Sequence, residues 1–187
     1  MATPEITAMR RILVLGCAGA GKTVFSDQLA TLTGLPVIRL DQEYWKPGWV
    51  EPETTEWRER VATLADRDKW IMDGNYGGTL DLRLKRADRV YILDVSRTRA
   101  LARVVWRTAR NWGKTRADMT QGCVERIDGP FLAYIWTYNR VHRPRLMEAL
   151  ASHKGRSQIL TGPKAARDHL RLLATALSSP PSPPPTM

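Results

Sequence analysis

The sequence predicts an α/β fold in which helices cover a parallel β-sheet. Short apolar runs alternate with longer stretches of helical periodicity through most of the chain. The helical stretches are long enough to join parallel strands by right-handed βαβ crossovers. The 187 residues, with 43% hydrophobic and 26% charged side chains, suffice for one domain with a substantial core, or for one domain with a small insertion.

The apolar runs and the helical patterns define the expected order of elements. The predicted strands are Arg11–Leu15, Pro36–Leu40, Lys69–Asp73, Asp88–Asp94 and Gln158–Thr161. The predicted helices are Gly21–Thr33, Thr54–Asp66, Val95–Asn111, Pro130–His142, Pro144–Ser152 and Lys164–Ala176. We predict a break between the fourth and fifth helices at Arg143–Pro144, because proline has a fixed φ and no N–H, and Pro144 can open the next helix.

Two segments lie outside this alternation. Asn111–Gly129 is polar, contains several glycines and separates two helices, which is typical of a mobile lid. Ser178–Met187 is mostly proline and serine, cannot bury apolar surface, and is predicted to be a disordered tail. Residues 1–177 are therefore expected to form a single domain that includes the lid.

Composition narrows the possible function classes. Cys17 and Cys123 are far apart and provide neither a disulfide framework nor a metal-ligand spacing, which fits a reducing cytosol. The three histidines are scattered and do not suggest a metal site. We see neither a signal peptide nor an apolar segment long enough to span a bilayer. The expectation is a cytoplasmic protein without a membrane partner.

One segment matches the phosphate-binding motif G-x-x-x-x-G-K-[ST] at every fixed position. It reads Gly16-Cys17-Ala18-Gly19-Ala20-Gly21-Lys22-Thr23. An apolar strand precedes it, and a helix with apolar Val24, Phe25 and Leu29 follows it, which is the strand–loop–helix context that this motif requires. A glycine-rich turn without a ligand would leave Lys22 and Thr23 unexplained.

The residue types of this loop suit a nucleoside triphosphate. Glycines allow backbone N–H groups to face inward and leave room for phosphate oxygens, while the following helix adds its positive N-terminal end. Lys22 would bridge the β- and γ-phosphates, and the Thr23 hydroxyl would ligate Mg²⁺. Cys17 is expected to be a small filler. The predicted nucleotide-binding residues are Gly16, Cys17, Ala18, Gly19, Ala20, Gly21, Lys22, Thr23 and Val24.

Two carboxylates follow predicted strands, where open α/β sheets bind ligands. Asp73 is the candidate second ligand for Mg²⁺, although Asp-Gly is also common in simple turns. Asp41 could orient an acceptor or take a proton from its hydroxyl. The aromatic residues at Tyr44–Trp49 could form the wall of an acceptor pocket or could equally pack the connection onto the sheet.

Most of the positive charge lies in residues 83–116, which carry 11 Lys/Arg against 2 Asp/Glu, a net charge of +9. Helical spacing puts four arginines on one stripe, and Lys114 and Arg116 follow in the lid. The stripe consists of Arg99, Arg103, Arg107 and Arg110. Arginines there could stabilise a transferring phosphoryl group. Nucleic acid is the rival partner, but no recognisable nucleic-acid-binding motif is present, and a solvated basic face is the third alternative.

Beyond the P-loop, several segments resemble the P-loop kinases related to adenylate kinase, and more closely the bacterial topology modulation proteins. They are Leu40-Asp41, Tyr44–Trp49, Trp70–Tyr76, Arg83–Asp94 and Gly113–Ile127. The resemblance implies a three-layer P-loop NTPase fold with a five-stranded parallel sheet of order 2-3-1-4-5 and a lid at residues 111–129. It also implies ATP as phosphoryl donor, Asp73 at the Mg²⁺ site, and adenine beside Thr161–Lys164. The implied phosphate contacts are Arg103, Arg107 and Arg116.

The chain departs from true adenylate kinases on the acceptor side. Asn75-Tyr76-Gly77-Gly78 stands where those enzymes carry an arginine after the Asp-Gly pair, and Gln42–Glu53 has no arginine. These departures argue against AMP as acceptor. The hypothesis is an ATP-dependent kinase in which Lys22, Asp41, Asp73 and the lid arginines act on a small-molecule acceptor. A nucleic-acid-associated ATPase and a nucleotide-binding regulatory protein are the alternatives, and both monomer and dimer remain open.

Overall fold

A computed structural model describes residues 9–153 and 155–178. The tail predicted at Ser178–Met187 lies outside this range except for Ser178, which ends the last helix. The strands are β1 Arg11–Gly16, β2 Val37–Arg39, β3 Trp70–Asp73, β4 Arg89–Asp94 and β5 Arg156–Thr161. All neighbours are parallel, and the strand order is β2-β3-β1-β4-β5. The predicted α/β fold and strand order are confirmed.

The helices flank this sheet. They are α1 Lys22–Thr33, α2 Leu40–Tyr44, α3 Thr54–Asp66, α4 Leu80–Leu84, α5 Arg97–Arg110, α6 Gly129–Ala151 and α7 Gly162–Ser178, with a 3₁₀ turn at Gly77–Thr79. The sequence did not predict α2, α4 or the 3₁₀ turn, because elements this short have no measurable helical periodicity. All of them lie at or just after the carboxyl ends of β2 and β3, where they shape the site described below.

Alternate residues of β1 enter two separate cores. Ile12 and Val14 pack in a cluster with residues of α1, α5 and α7. Leu13 and Leu15 pack on the opposite side, in a cluster with residues of α3. Both faces of the sheet are therefore covered, as a parallel sheet requires, and the architecture has three layers. Among the described residues, no helix is both long enough and apolar enough to cross a membrane.

The predicted helix break at Arg143–Pro144 is wrong, since α6 continues through Pro144. The two halves of α6 are anchored in different cores: Ile135 and Tyr138 in one, Leu146 and Leu150 in the other. This packing fixes both halves in one helix. The ring of Pro144 is exposed, so water can reach the backbone carbonyl that lacks its usual N–H partner.

The α5–α6 connection (residues 111–128) contains most of the predicted lid. An antiparallel bridge joins Thr115 to Val124 within it. The connection also contacts α2 and the loop after it: the Thr120 hydroxyl donates to the Gln42 carbonyl at 3.0 Å, and Trp49 Nε1 donates to the Val124 carbonyl at 2.9 Å. The connection thus lies against the segment that follows β2.

Replacing Pro144 should stabilise the protein. We expect Pro144→Ala to raise the free energy of unfolding by about 1–3 kcal/mol, because it restores an N–H to the helix interior. Urea denaturation measures the change. Pro130→Ala is the matched control, since Pro130 lies in the first turn of α6, where no N–H partner is needed, and its effect should be small. Equal effects of the two substitutions would contradict this account of α6.

Candidate active site

The P-loop at Gly16–Thr23 lies at the carboxyl end of β1, between β3 and β4. Gly16 and Gly19 both have positive φ, 142° and 78°. A Cβ atom at Gly16 would lie 2.4 Å from the Leu93 carbonyl oxygen, and one at Gly19 would lie 2.4 Å from the Ala100 carbonyl oxygen. These glycines are therefore required by the close approach of β4 and α5, in addition to any need for space around phosphates.

Lys22 is the first residue of α1, and its side chain reaches back across the loop. Its Nζ donates to the Cys17 carbonyl at 3.3 Å. Cys17 itself is buried, and burial raises the pKa of its thiol to about 11. The thiol is therefore neutral at ordinary pH, which fits the expected role as a small filler.

Asp73 ends β3 directly beside β1, in register with Val14. Thr23 lies close enough to lower the pKa of the Asp73 carboxyl, so the two predicted metal ligands lie together. Asp73 is only 7% exposed, and burial raises the pKa of its carboxyl to about 6. Lys22 lowers this pKa, whereas the charge of Asp41 raises it further. At neutral pH the structure thus holds a buried carboxylate that a cation would stabilise.

These oxygen donors fit Mg²⁺. A carboxylate and a hydroxyl are hard ligands, and Mg²⁺ commonly binds few protein groups together with substrate phosphates and water. Within residues 9–153 and 155–178, no cluster of three or more His, Cys, Asp or Glu side chains could hold a metal by itself. A metal at Thr23 and Asp73 would therefore take its other ligands from a phosphate and from water.

Asn75 joins the loop after β3 to the P-loop. Its Oδ1 accepts the Gly16 N–H at 3.0 Å, and its Nδ2 donates to the Gly16 carbonyl at 2.8 Å. Nδ2 also donates to the Tyr134 hydroxyl at 3.1 Å. Sequence reasoning assigned Asn75 no such role, and only the resemblance of the segment Trp70–Tyr76 drew attention to it. Its partners are distant in sequence, so no local pattern could have identified it.

Arg83 is fully buried beneath the same loop. Its guanidinium donates to the Gly74 carbonyl at 2.9 Å and to the Tyr76 carbonyl at 2.8 Å, and it also bonds the carbonyls of Asn75 and Thr79. Burial lowers the pKa of Arg83. A planar guanidinium satisfies several carbonyls at once, so Arg83 fixes the backbone that carries Asn75 and Tyr76.

Tyr76 links this loop to Asp41. Its φ of 35° lies in the left-handed region, which is unusual for a bulky residue. Its hydroxyl donates to Asp41 Oδ1 at 2.7 Å. Burial raises the pKa of Tyr76, and the neighbouring Asp41 carboxylate raises it further, so the phenol keeps its proton. Asp41 therefore has one carboxylate oxygen held in a fixed direction.

An aromatic cluster lies beside Asp41. Some of its rings pack in the core and others line the cleft, so both alternatives that the sequence left open for Tyr44–Trp49 apply. Ring centroids 4.7–5.3 Å apart connect its members in edge and tilted contacts. The members are Tyr44, Trp45, Trp49, Trp57 and Tyr76. Trp57 is buried in the core, whereas Trp45 and Trp49 line the cleft beside Asp41.

The basic stripe of α5 divides among several roles. Arg103 lies over the P-loop, and its Nη1 donates to the Gly19 carbonyl at 3.3 Å and to the Ala20 carbonyl at 3.4 Å. Arg99 lies near Gly162, at the start of α7. Arg110 instead packs over the exposed ring of Trp106, 5.5 Å from its centroid. All four arginines therefore lie on α5, but Arg110 packs on Trp106 rather than on the P-loop.

Glu125 holds Arg107 and Arg116 together. Arg116 Nε lies 2.7 Å from Glu125 Oε1, and Arg107 Nη2 lies 3.8 Å from the same oxygen. The buried Thr108 hydroxyl donates to Glu125 Oε2 at 2.8 Å. Burial and the charge of Arg116 lower the pKa of Arg107, while Glu125 raises it. The sequence did not single out Glu125, which fixes the predicted lid arginine Arg116 against α5.

Several of these groups line one continuous cleft of ≈ 2050 Å³. The P-loop, Asp73, Asp41, Trp45 and Trp49 line this cleft. It continues along α6 to Ala87, which lies between α4 and β4. This volume exceeds the roughly 300–1,000 Å³ that is usual for one small ligand. The cleft therefore has room for two ligands, one at the P-loop and one at Asp41.

The amide of Asn75 should be essential to this arrangement. We expect Asn75→Asp to lower the free energy of unfolding by about 1–3 kcal/mol, because both donated hydrogen bonds are lost and a carboxylate then faces the Gly16 carbonyl. Chemical denaturation tests this. Asn139→Asp, on the exposed side of α6, makes the same chemical change elsewhere and should have little effect. Equal stability of the two variants would contradict this role of the Asn75 amide.

The raised pKa of Asp73 predicts a pH-dependent effect of its removal. Because the folded-state pKa of about 6 lies above the ordinary value of 3.8, the fold favours the protonated carboxyl. That stabilisation is present at low pH and is lost as the pH rises through 6. Asp73→Asn, which mimics the neutral form, should therefore be more stable than the parent by up to about 3 kcal/mol near pH 8.

The advantage of Asp73→Asn should vanish below about pH 3, where the parent carboxyl is neutral in both the folded and the unfolded state. Unfolding in urea across this pH range measures it. Glu59→Gln, on the exposed face of α3, is the control and should show no such trend. A gain in stability that does not change with pH would show that it does not come from the raised pKa of Asp73.

The chain matches no known family profile, and no curated protein matches it. Its structure is similar to shikimate kinase from Bacteroides thetaiotaomicron, with a TM-score of 0.57, 17% identity, and coverage of 92% of this chain and 100% of that chain. It is also similar to shikimate kinase from Acinetobacter baumannii in complex with shikimate, with a TM-score of 0.57, 20% identity, and coverage of 94% of this chain and 98% of that chain. For deoxyadenosine kinase from M. mycoides with bound dATP, the TM-score is 0.52 and the identity 14%, with coverage of 90% of this chain and 100% of that chain. At these identities the likeness establishes the fold, which is that of the P-loop kinases.

Proposed function

We propose that this protein is an ATP-dependent phosphotransferase that transfers the γ-phosphoryl group of Mg-ATP to a small-molecule acceptor. The observation that carries the proposal is the juxtaposition, around one cleft, of a P-loop and a second site at Asp41. The P-loop supplies Lys22 and Thr23, and β3 supplies Asp73 beside them. A triphosphate and an acceptor hydroxyl would thus meet in a shared space.

The donor would be held by the backbone of Gly16–Val24, the N-terminal end of α1 and Lys22. Mg²⁺, held by Thr23 and Asp73, would supply positive charge for the phosphate oxygens. Lys22 now donates to the Cys17 carbonyl, so its Nζ already lies over the loop that would surround the phosphates. We further propose that adenine lies beside Thr161–Lys164, near Arg99.

The basic residues of α5 and the α5–α6 connection would stabilise charge on the transferring group. Arg103 lies over the P-loop, and Glu125 fixes Arg107 and Arg116 at the cleft. In this proposal residues 111–129 act as a lid that covers the phosphates and excludes water.

Asp41 would position the acceptor. Among the described residues its only side-chain hydrogen bond is from Tyr76 to Oδ1, which leaves Oδ2 for an acceptor hydroxyl. In the transfer, the hydroxyl oxygen bonds to the γ-phosphorus, the bond from that phosphorus to the β–γ bridging oxygen breaks, and ADP leaves with the bonding electrons. The hydroxyl proton passes to Asp41. The charge of Asp41 affects the pKa of both Asp73 and Arg107, which supports its place beside the donor.

The contacts of the arginines favour this proposal over a nucleic-acid-associated ATPase. Arg103, Arg107 and Arg116 are directed to the P-loop and to Glu125, whereas a nucleic-acid surface would direct them outward. Similar structures are named as kinases of shikimate and deoxyadenosine, one of them with bound dATP, which adds support. A closer relation to adenylate kinase and to topology modulation proteins, and a cytoplasmic location, remain parts of the proposal.

The test is ADP production from Mg-ATP with a panel of nucleoside monophosphates, nucleosides, sugars and small hydroxy compounds. We expect acceptor-dependent turnover that falls by at least about a hundredfold in Lys22→Ala. Lys69→Ala, which removes an exposed lysine just before β3, is the matched control and should retain full turnover. Slow ADP release that no acceptor accelerates would count against phosphoryl transfer and favour a regulatory or nucleic-acid role.

A further inference from the structure

We propose that the acceptor is a small hydroxy compound without negative charge, neutral or cationic, bound against the rings of Trp45 and Trp49 with its hydroxyl on Asp41. This inference rests on the proposed phosphotransferase function and deepens it by naming the chemical class of acceptor. It excludes nucleoside monophosphates and hydroxy acids as the acceptor.

The two ends of the cleft carry opposite charges. The P-loop end has the basic side chains Lys22, Arg103, Arg107 and Arg116. The acceptor end is formed by α2, the loop at residues 45–53 and the loop after β3, and it presents the carboxylates of Asp41 and Glu51. Within the described parts of the chain, neither of these carboxylates forms an ion pair: Asp41 accepts from the Tyr76 hydroxyl, and Glu51 lies near Tyr44, whose pKa is raised by burial and by this carboxylate.

The basic residues next to the acceptor end are engaged elsewhere. Each forms an ion pair with a carboxylate, and none lines the cleft. The pairs are Arg39–Asp27, Lys46–Glu56, Arg58–Asp81 and Arg60–Glu43. The other basic residues on the cleft wall are Lys85 after α4, Arg126 in the α5–α6 connection, Arg145 in α6 and Arg167 in α7. The three segments that form the acceptor end therefore add no cation to the cleft wall for a phosphate or carboxylate.

An anionic acceptor would meet the negative charges of Asp41 and Glu51 at this end. Two like charges a few ångströms apart repel, also at the exposed positions that these carboxylates occupy. The indole faces of Trp45 and Trp49 instead suit the C–H surface of a sugar-like compound or a positively charged group. The charge and the rings favour the same class of compound.

Asp41 offers one carboxylate oxygen to a hydroxyl of the ligand. Tyr76 holds Oδ1, and Arg83 in turn holds the Tyr76 carbonyl at 2.8 Å. The second oxygen, Oδ2, is left to accept a hydrogen bond from the ligand. A compound that stacks on the rings and donates to Oδ2 would present its hydroxyl oxygen toward the P-loop.

The experiment compares compounds that differ chiefly in charge. One series is glucose, glucosamine and gluconate; the second is ethylene glycol, ethanolamine and glycolate; adenosine and AMP form a further pair. Calorimetry with a non-hydrolysable ATP analogue and Mg²⁺ measures binding, and ADP production measures transfer. We expect the preferred compound to be neutral or cationic and to bind at least about tenfold more tightly than its anionic counterpart.

Two matched variants assign this preference to the acceptor end. Glu51→Gln should weaken the discrimination against the anionic compound by several-fold, as expected for the loss of one nearby charge. Glu59→Gln removes the same charge from the exposed face of α3 and should leave the discrimination unchanged. Equal effects of the two variants would show that net charge, rather than this site, is responsible.

The outcomes separate this inference from the proposed function. Tighter binding of an anionic compound, or no binding by any neutral or cationic one, overturns the inference. Transfer to an anionic compound would support phosphotransferase activity while overturning the charge selectivity. Selective binding of an uncharged compound without ADP production would support the charge selectivity and contradict phosphoryl transfer.

Discussion

The pair of hydrogen bonds between Asn75 and the Gly16 peptide holds the candidate site together. A side-chain amide can accept from the Gly16 N–H and donate to its carbonyl at the same time, as the distances of 3.0 and 2.8 Å indicate. The carboxyl ends of β1 and β3 are thereby joined beyond the last ladder contacts. Thr23 and Asp73 come from these same two chain segments, so their contact depends on the junction.

The same junction depends on buried polar groups beneath it. Arg83 donates to the carbonyls of Gly74 and Tyr76 in the loop after β3. The left-handed backbone of Tyr76 is held by this bond and by the bond of its hydroxyl to Asp41. A strained backbone persists only where its surroundings fix it. Here they fix the residue that directs the Asp41 carboxylate into the cleft.

The sequence predicted the parts of the molecule that depend on local pattern. The strands follow from short apolar runs, and the P-loop from a motif with its flanking strand and helix. The path of α6 through Pro144 could not be predicted, because it depends on the packing of Ile135 and Leu146 into two different cores. Asn75 and Arg83 carry no periodic signal, since their partners are backbone groups whose positions are known only in the fold. Helical spacing placed Arg103 and Arg107 correctly on one stripe, but it could not identify Glu125 as the neighbour of Arg107.

Glu125 shows how the cationic end of the cleft remains ordered. Several arginines close together repel one another, and Arg116 does contribute to the lowered pKa of Arg107. A buried carboxylate between them offsets this repulsion and fixes the α5–α6 connection against α5. Asp118 Oδ1 also lies 3.5 Å from Arg116 Nε, so two carboxylates face these two guanidinium groups. Lys22 and Arg103 donate to backbone carbonyls of the P-loop and supply attraction for an anion there, while the acceptor end, with Asp41 and Glu51, repels one. This division of charge along a single cleft would direct a triphosphate to one end and leave the other end for a different kind of molecule.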